Sequence, residues 1–134
     1  MSNILLPSNI SSNVLRSPTN SETAETNRLL TIPVNTSATN DSQRRFALIT
    51  SLIIANKSAG NVAINAKIIN GSTSAYILFG VNVPSGTAFE VIQANKFILK
   101  ESDSLYLWHN SSSLNVIDVA LSYVLHDPIT PYVV

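Results

Sequence analysis

The sequence contains no cysteine, only four glycines and one tryptophan, and few charged residues. Without cysteine the fold cannot depend on disulfides, so it can form in a reducing cytosol. Charged residues make up 12% of the chain and the formal net charge is zero, whereas charged residues are roughly 25% of an ordinary globular protein. Because a nucleic-acid partner would call for clustered lysine and arginine, we expect none. The one basic pair, Arg44 and Arg45, is expected to be solvated at a strand entrance.

The sequence also lacks a segment for export or for membrane insertion. Thr50 and Ser51 interrupt the best apolar run, so no stretch reaches the ~18 apolar residues of a membrane span. The amino terminus, MSNILLPSNISSNVL, has neither the basic region nor the long apolar region of a signal peptide. We therefore expect a soluble protein that is made without export and has no membrane partner.

What the chain has instead is a high apolar content arranged in alternation. A length of 134 residues fits one domain, and at this size folding buries roughly two-thirds of the unfolded surface. Apolar residues recur at every second position in residues 46–56, 62–68, 75–83, 114–125 and across the central stretch 81–108. This period is typical of strands with one face in a core. Low charge combined with many apolar groups also indicates surface that other subunits cover.

The number and spacing of these segments predict an all-β fold. About seven or eight strands, at spacings of roughly 10 to 14 residues and without a convincing helix, indicate a single antiparallel β-sandwich. Jelly-roll and immunoglobulin-like topologies are both compatible with this pattern.

Composition divides the chain into an extended amino-terminal arm (1–26), a β-sandwich domain (27–126) and a carboxyl-terminal tail (127–134). The arm is rich in serine, asparagine and threonine and cannot build a core. It is either a disordered tail or a tether whose apolar cluster docks on a neighbouring subunit. Residues 28–34 are then expected to form the first strand. The apolar tail either folds back on the domain or binds a neighbour.

Several apolar side chains fall on the side of a strand opposite to the core, or in the terminal segments. Such residues either fill a second core or lie in a subunit interface. The candidate interface residues are Ile4, Leu5, Leu6, Ile49, Ile53, Tyr76, Leu78, Tyr106, Trp108, Tyr132, Val133 and Val134.

Residues that carry chemistry are few and scattered. The two histidines, His109 and His126, are expected at the surface, and the adjacent pair His126 and Asp127 has no nucleophile elbow near it. No spacing of histidines suits a metal, and no pair of carboxylates suits acid–base work. We therefore expect no catalytic residue, no metal, no cofactor and no enzymatic activity.

Residues 46–125 resemble small virion structural proteins encoded by tailed bacteriophages, notably of the marine and cyanobacterial type. The similarity lies in a strand ending in ITSLIIANKSAGNVAINAKII, a VNVPSGTAFEVI turn, a FILKESDSLYLW hairpin and a final LNVIDVALSYVL strand. The resemblance implies a non-enzymatic particle component, present in many copies, that assembles in the host cytoplasm. Its partners would be copies of itself and a larger virion protein, such as a major capsid, neck or tail protein. A capsid cement or decoration subunit and a neck, tail or fibre component both fit.

An alternative function of another class is a carbohydrate-binding module for host attachment. Tyr76, Tyr106 and Trp108 fall on outward parities, and together they could form an aromatic platform for a sugar ring.

Overall fold

The computed structural model describes residues 2–3, 8–22, 24–92, 96–128 and 132–133. These residues contain eleven strands, two 3₁₀ turns (Glu25–Asn27 and Asp41–Gln43) and no α-helix. The all-β prediction is therefore confirmed. The strands are β1 (Ser2–Asn3), β2 (Ser8–Arg16), β3 (Arg28–Thr31), β4 (Phe46–Asn56), β5 (Val62–Asn70), β6 (Thr73–Val83), β7 (Ala88–Glu90), β8 (Phe97–Lys100), β9 (Ser104–His109), β10 (Ile117–Asp127) and β11 (Tyr132–Val133).

The larger strands form two antiparallel sheets. The first sheet has the order β2-β10-β4-β7, and β8 also pairs with β4. Because β7 pairs with Ile53–Ala55 and β8 with Phe46–Ile49, the two short strands share one position beside β4. The second sheet has the order β3-β9-β5-β6. The predicted antiparallel sandwich is thus confirmed.

The strand order identifies the topology as a jelly roll. Pairing is nested along the chain: β2 with β10, β3 with β9, β4 with β7 and β8, and β5 with β6. This is the pattern of one long hairpin rolled into two sheets, as in eight-stranded jelly rolls. The sequence left this topology open beside the immunoglobulin-like one, because strand order depends on pairings between distant segments.

The core lies between the two sheets and is apolar. The alternation predicted for β5, β9 and β10 agrees with it, since their inward residues are buried. The largest fully buried apolar side chains are Ile32, Ile49, Leu52, Ile54, Ile64, Val83, Leu99, Leu105, Leu107, Ile117 and Leu121.

The first sheet begins earlier in the chain than expected. Residues 28–34 were predicted to contain the first strand, but β2 precedes them and pairs with β10 along its whole length, from Ser8↔Asp127 to Arg16↔Val119. Part of the predicted arm is therefore an edge strand, in which only Val14 packs against the core. An edge strand can be this polar because backbone pairing holds it. The boundaries at residues 26 and 126, which divide the chain into arm, domain and tail, stay a prediction about which segments fold separately.

The two ends of the chain pair with each other. In β1 and β11, Ser2 lies opposite Val133 and Asn3 opposite Tyr132. Ser8 follows Ser2 by six residues and Asp127 precedes Val133 by six, so this pairing keeps the register of β2 and β10. The predicted interface residues Ile4, Leu5, Leu6 and Val134 lie outside the described residues, and for Tyr132 and Val133 only the backbone is described.

A bulge in β4 reverses which side chains face the core. One predicted interface residue, Ile49, is buried as a result. The register of β4 against β10 shifts between Ser122 and Tyr123, which leaves Thr50 as an extra residue. Its hydroxyl donates a hydrogen bond to the Ser122 carbonyl (3.1 Å). Since one extra residue flips every side chain beyond it, Ile49 points into the core and is fully buried. Ile53, by contrast, is exposed as expected.

The same effect occurs in β6. Its register against β5 shifts twice, around Ala66. Leu78, predicted to lie in an interface, is therefore buried in the core, whereas its neighbour Phe79 is exposed. In the β5–β6 turn Asn70 lies opposite Thr73, so the loop has two residues. Gly71 takes a φ of +59° there, as the first position of such turns requires.

Candidate interaction surfaces

The outer side of the first sheet carries five partly exposed apolar residues, with the polar pair Ser51 and Ser122 between Ile53 and the other four. Val124, Leu48 and Ile98 lie side by side on β10, β4 and β8, with Phe46 and Ile53 on the same side of β4. Ile98 is 55% exposed, Ile53 40% and Phe46 36%. We call these five residues the apolar face. Clusters of exposed apolar residues mark interaction sites more often than isolated exposed residues do.

Polar and charged groups border the apolar face. Lys100 lies opposite Phe46 and Glu90 opposite Ile53, both on the short strands at one edge. On the other edge β2 contributes Ser11 and Asn13. Asp118 lies beyond Ile53 along β10, where Ser17 and Lys57 donate hydrogen bonds to it and lower the pKa of its carboxyl. An apolar centre with a polar rim is the usual anatomy of a protein interface.

The outer side of the second sheet is partly covered by the chain itself. Trp108 faces outward by its pairing with Asn65, yet it is only 8% exposed. Between β2 and β3 the chain reaches this side: Glu22 pairs with Lys67 of β5 (3.1 Å), and the Thr19 carbonyl accepts a hydrogen bond from His109 N (3.2 Å). This crossing segment, residues 17–22 and 24–27, therefore lies beside Trp108. Tyr76 approaches the indole from β6, with ring centroids 6.0 Å apart.

Two buried polar side chains hold the crossing segment. The fully buried Asn27 accepts a hydrogen bond from Thr19 N (2.8 Å) and donates to Thr19 Oγ1 (2.9 Å) and to the Ser21 carbonyl (2.6 Å). His109, also fully buried, donates from Nε2 to the Pro18 carbonyl (3.0 Å), and its Nδ1 accepts from Ser111 N (3.1 Å). Burial lowers the pKa of His109 because it disfavours the imidazolium, and the bond to Pro18 partly opposes this. The expectation of a surface His109 was wrong.

Tyr76 and Phe79 form an exposed aromatic pair at the edge of the second sheet. Their rings meet edge to face with centroids 4.9 Å apart, and the Lys67 ammonium lies 5.1 Å from the centroid of Tyr76. Phe79 is 74% exposed and Tyr76 44%. Water therefore reaches most of the phenylalanine ring.

A cleft of about 720 Å³ opens at one end of the sandwich, beside the apolar face. Phe46 stacks on His126 there, with centroids 4.8 Å apart and planes at 27°. The cleft is lined by Asp41, Ser42, Arg44, Arg45, Phe46, Asn70, Lys100, Glu101 and His126. It thus combines an aromatic wall with both hydrogen-bond donors and acceptors.

Ion pairs fix the wall of this cleft. Glu101 accepts hydrogen bonds from Asn35 N (2.7 Å), from Arg45 N (3.1 Å) and from the Arg44 guanidinium (3.0 Å). The Asn35 bond is the largest of the causes that lower the pKa of this carboxyl. Arg45 pairs with Asp127 at 2.6 Å. The two arginines lie at the entrance of β4 as expected; Arg44 is exposed, and both are also held by ion pairs.

The adjacent residues His126 and Asp127 hydrogen-bond to different partners. The carboxylate binds Arg45 Nε (2.6 Å), and His126 Nδ1 hydrogen-bonds to Asn9 Oδ1 (2.7 Å). The part of the chain that the structure describes contains no group of three or more metal-ligating side chains. In the same residues, no helix has the length and hydropathy to span a bilayer.

The predicted interface residues thus differ in exposure and in position. Ile53 and Tyr76 are exposed and Tyr106 is half-buried, but they lie on different sheets and form no common site. Trp108 is buried and lies beside the crossing segment, a position that sequence alternation could not show. Phe46 and Phe79 are exposed because bulges reverse the parity of β4 and β6, and a bulge leaves no local sequence signal. Ile98 follows the simple alternation of β8, but its place beside Leu48 depends on strand order.

Comparison with known proteins gives little further information. No family model matches the chain, and no curated protein matches it. Among solved structures, it is similar to a chain in the crystal structure of the T13 IBDV viral particle, with a TM-score of 0.47 and 9% sequence identity. The match covers 97% of this chain but only 37% of the viral one. At this TM-score and identity the likeness establishes neither a shared fold nor a shared function, so the resemblance to phage virion proteins stays a prediction.

Proposed function

We propose that this protein is a non-enzymatic structural subunit of a bacteriophage particle, assembled in the host cytoplasm. Its apolar face packs against copies of itself and against a larger virion protein, either as a capsid cement or decoration subunit or as a neck, tail or fibre component. The observation that carries the proposal is the apolar face itself. The sequence resemblance to small phage virion proteins supports the choice of particle.

The apolar face can supply a useful association energy in a repeated assembly. Fully burying a large aliphatic or aromatic side chain contributes about 1.5–3 kcal/mol. Phe46, Ile53 and Ile98 are between one-third and just over one-half exposed, so each contributes roughly 1 kcal/mol on docking. Such a gain is small for a single contact, but it recurs at every copy in a closed particle.

The paired termini support a second contact. A two-stranded ribbon is at best marginally stable in water, and β1 and β11 pair only with each other. A ribbon that continues the register of β2 and β10 therefore needs a surface to pack on. In our proposal a neighbouring subunit provides it, so that both termini tether the particle together.

Incorporation into particles tests this function. Ile98→Asp places a charge on the most exposed residue of the apolar face, and this half-exposed site on the edge strand β8 should tolerate the charge without unfolding. Leu114→Asp is the matched control, because Leu114 is 63% exposed in the β9–β10 loop, away from the face. We expect particles purified by density gradient to contain the wild type and Leu114→Asp but at least tenfold less Ile98→Asp. Equal incorporation of all three would contradict the proposed interface.

The cleft favours a carbohydrate-binding module as a second candidate function. Phe46 offers a ring surface, and Lys100, Arg44 and Asp41 surround it with donors and an acceptor. A cleft of this size suits a small ligand, and its aromatic wall together with its many polar and charged groups suits the ring and hydroxyls of a sugar. This candidate sugar-binding site differs from the platform predicted at Trp108, because the Trp108 ring is buried.

A glycan array distinguishes the second candidate from the first. If the cleft binds sugars, the wild type should label a defined set of glycans, and Lys100→Ala should lose them while particle incorporation stays normal. Absence of glycan labelling by the wild type would exclude this candidate.

A further inference from the structure

The described strands leave four edges in the two sheets, and three of them are protected against pairing with another chain. At one edge of the first sheet, β7 and β8 are short and bear Glu90 and Lys100. At its other edge, β2 is polar and ends in Arg16. In the second sheet β3 has four residues, and Pro33 follows it closely. Short strands, charges and proline are the usual devices that block edge-to-edge association.

Strand β6 has no such charge or proline, and its bulges lie at residues 77–80, which leaves its first half regular. It is the outermost strand of the second sheet, and its eleven residues, TSAYILFGVNV, include no charged residue and no proline. Residues 73–76 are all exposed, as are Phe79 and Gly80. A long, uncharged, apolar edge strand is a template for pairing with another chain. A protein that remains soluble must therefore cover this edge in a specific way.

We propose that β6 pairs antiparallel with β6 of a second copy of this chain, joining two four-stranded sheets into one. This inference does not rest on the particle role, because it uses the sheet opposite to the apolar face.

The register of β6 directs backbone groups of its first half toward the free edge of the sheet. Asn70 and Thr73 flank a two-residue turn, and in such a hairpin the flanking pair is hydrogen-bonded and the pairs then alternate. The backbone N–H and C=O groups of Ser74 and Tyr76 therefore point away from β5, toward the free edge. These groups can form a ladder with a second strand.

A second copy suits this edge better than a charged or polar partner does. A two-fold axis places identical strands side by side, and a strand without charge brings no like charges together. The aromatic pair of Tyr76 and Phe79 lies next to the edge, so each copy can cover the other's exposed rings. A fully buried aromatic residue covers about 150–250 Å², and the exposed parts of these two rings amount to roughly 200 Å² per copy.

The dimer should be reversible and concentration-dependent. Stable interfaces bury about 800 Å² per partner, and the aromatic pair supplies only a part of that. Backbone pairing along the strand adds area and direction. We therefore expect a dissociation constant of roughly micromolar size, about −8 kcal/mol.

Sedimentation velocity of the full chain over a concentration series tests this inference. We expect the wild type to move from one chain of 14.5 kDa toward twice that mass as concentration rises. Phe79→Lys places a like charge on each copy at the seam, and Ser74→Pro removes an N–H that faces the free edge but spares the β5 ladder. Each should raise the dissociation constant at least tenfold. Leu114→Lys, at an exposed site in another region, should dimerise like the wild type.

Three results would overturn the inference. The first is a wild type that stays monomeric up to about one hundred times the expected dissociation constant, which would also mean that another kind of partner covers β6. The second is a dimer that both variants retain. The third is a dimer sensitive to Phe79→Lys but not to Ser74→Pro, since ring packing without strand pairing is a different contact. Loss of the dimer with normal particle incorporation would separate this inference from the proposed function.

Discussion

Removal of one buried amide, by Asn27→Ala, should loosen the crossing segment that lies beside Trp108. The substitution takes away the acceptor of Thr19 N–H and the donor to Thr19 Oγ1 and the Ser21 carbonyl. A buried donor left without a partner costs about 1–3 kcal/mol, and each further hydrogen bond contributes about 0.5–1.5 kcal/mol. Because Ser21 is exposed and water can replace its bond, we expect a total loss of about 2–4 kcal/mol.

The single tryptophan provides the assay for this change. Urea unfolding followed by Trp108 fluorescence should show a lower midpoint for Asn27→Ala, which gives the free energy of unfolding directly. The emission of the folded variant should also shift to the red, because the segment beside the indole becomes mobile. Far-ultraviolet circular dichroism should remain that of the wild type, since the sheets do not depend on this segment.

Asn20→Ala serves as the control for this experiment. Its amide makes one exposed hydrogen bond, to the Ser111 carbonyl (3.0 Å), so it should change the free energy of unfolding by no more than about 0.5 kcal/mol. If Asn27→Ala also cost less than about 0.5 kcal/mol and left the emission unchanged, the account of Asn27 as the clamp of the crossing segment would be wrong.

Three further predictions concern stability. His109 has a lowered pKa in the folded state, so its contribution is complete above pH 6.5 and is lost as the pH falls toward the folded-state value; urea midpoints should drop between pH 7.5 and 5.5 in the wild type and much less in His109→Gln. Gly71→Ala should cost about 1–2 kcal/mol because of its positive φ, whereas Gly60→Ala should be nearly neutral, since neither added Cβ would meet a neighbour within 4 Å; a thermal melt of both variants checks this. Leu107→Ala, in the core, should cost about 2–5 kcal/mol, and Leu114→Ala, at the surface, should lie within about 0.5 kcal/mol of the wild type by urea titration.

Sequence alternation predicted the regular strands well. In β5, Val62, Ile64 and Ala66 face the core, and in β9 Leu105 and Leu107 do the same. These strands pair with their neighbours over most of their length without an extra residue on their own side, so the period of two survives. Long, strictly alternating segments are the most dependable signal in a sequence.

The errors arose where tertiary pairing overrides the local pattern. Thr50 is the extra residue in β4, and it places Ile49 in the core rather than in an interface. A bulge depends on the partner strand, so the sequence of β4 alone does not reveal it. The strand β2 was missed for a related reason: its residues are polar, and its stability comes from backbone pairing with β10.

The sequence predicted that exposed apolar surfaces exist, but not which residues form them. Low charge and high apolar content correctly indicated exposed apolar residues, of which Ile53 and Tyr76 are examples. Which residues share one surface depends on strand order, and the order β10-β4-β8 that assembles the apolar face is set by distant segments. The position of the crossing segment beside Trp108 is likewise set by distant segments.

The position of β2 also affects how assembly should be tested. Trimming the chain to residues 27–126 would remove β2 and expose the edge of β10, so a loss of assembly could reflect a damaged sheet. Substitutions on the apolar face avoid this ambiguity.

The most direct test of the central claim is the copy number of this protein in purified particles. Quantitative mass spectrometry of gradient-purified bacteriophage particles from the lysate in which the chain is made should find it in many copies, at a fixed ratio to the major particle proteins. A protein that is abundant in that lysate but absent from the particles would contradict the account.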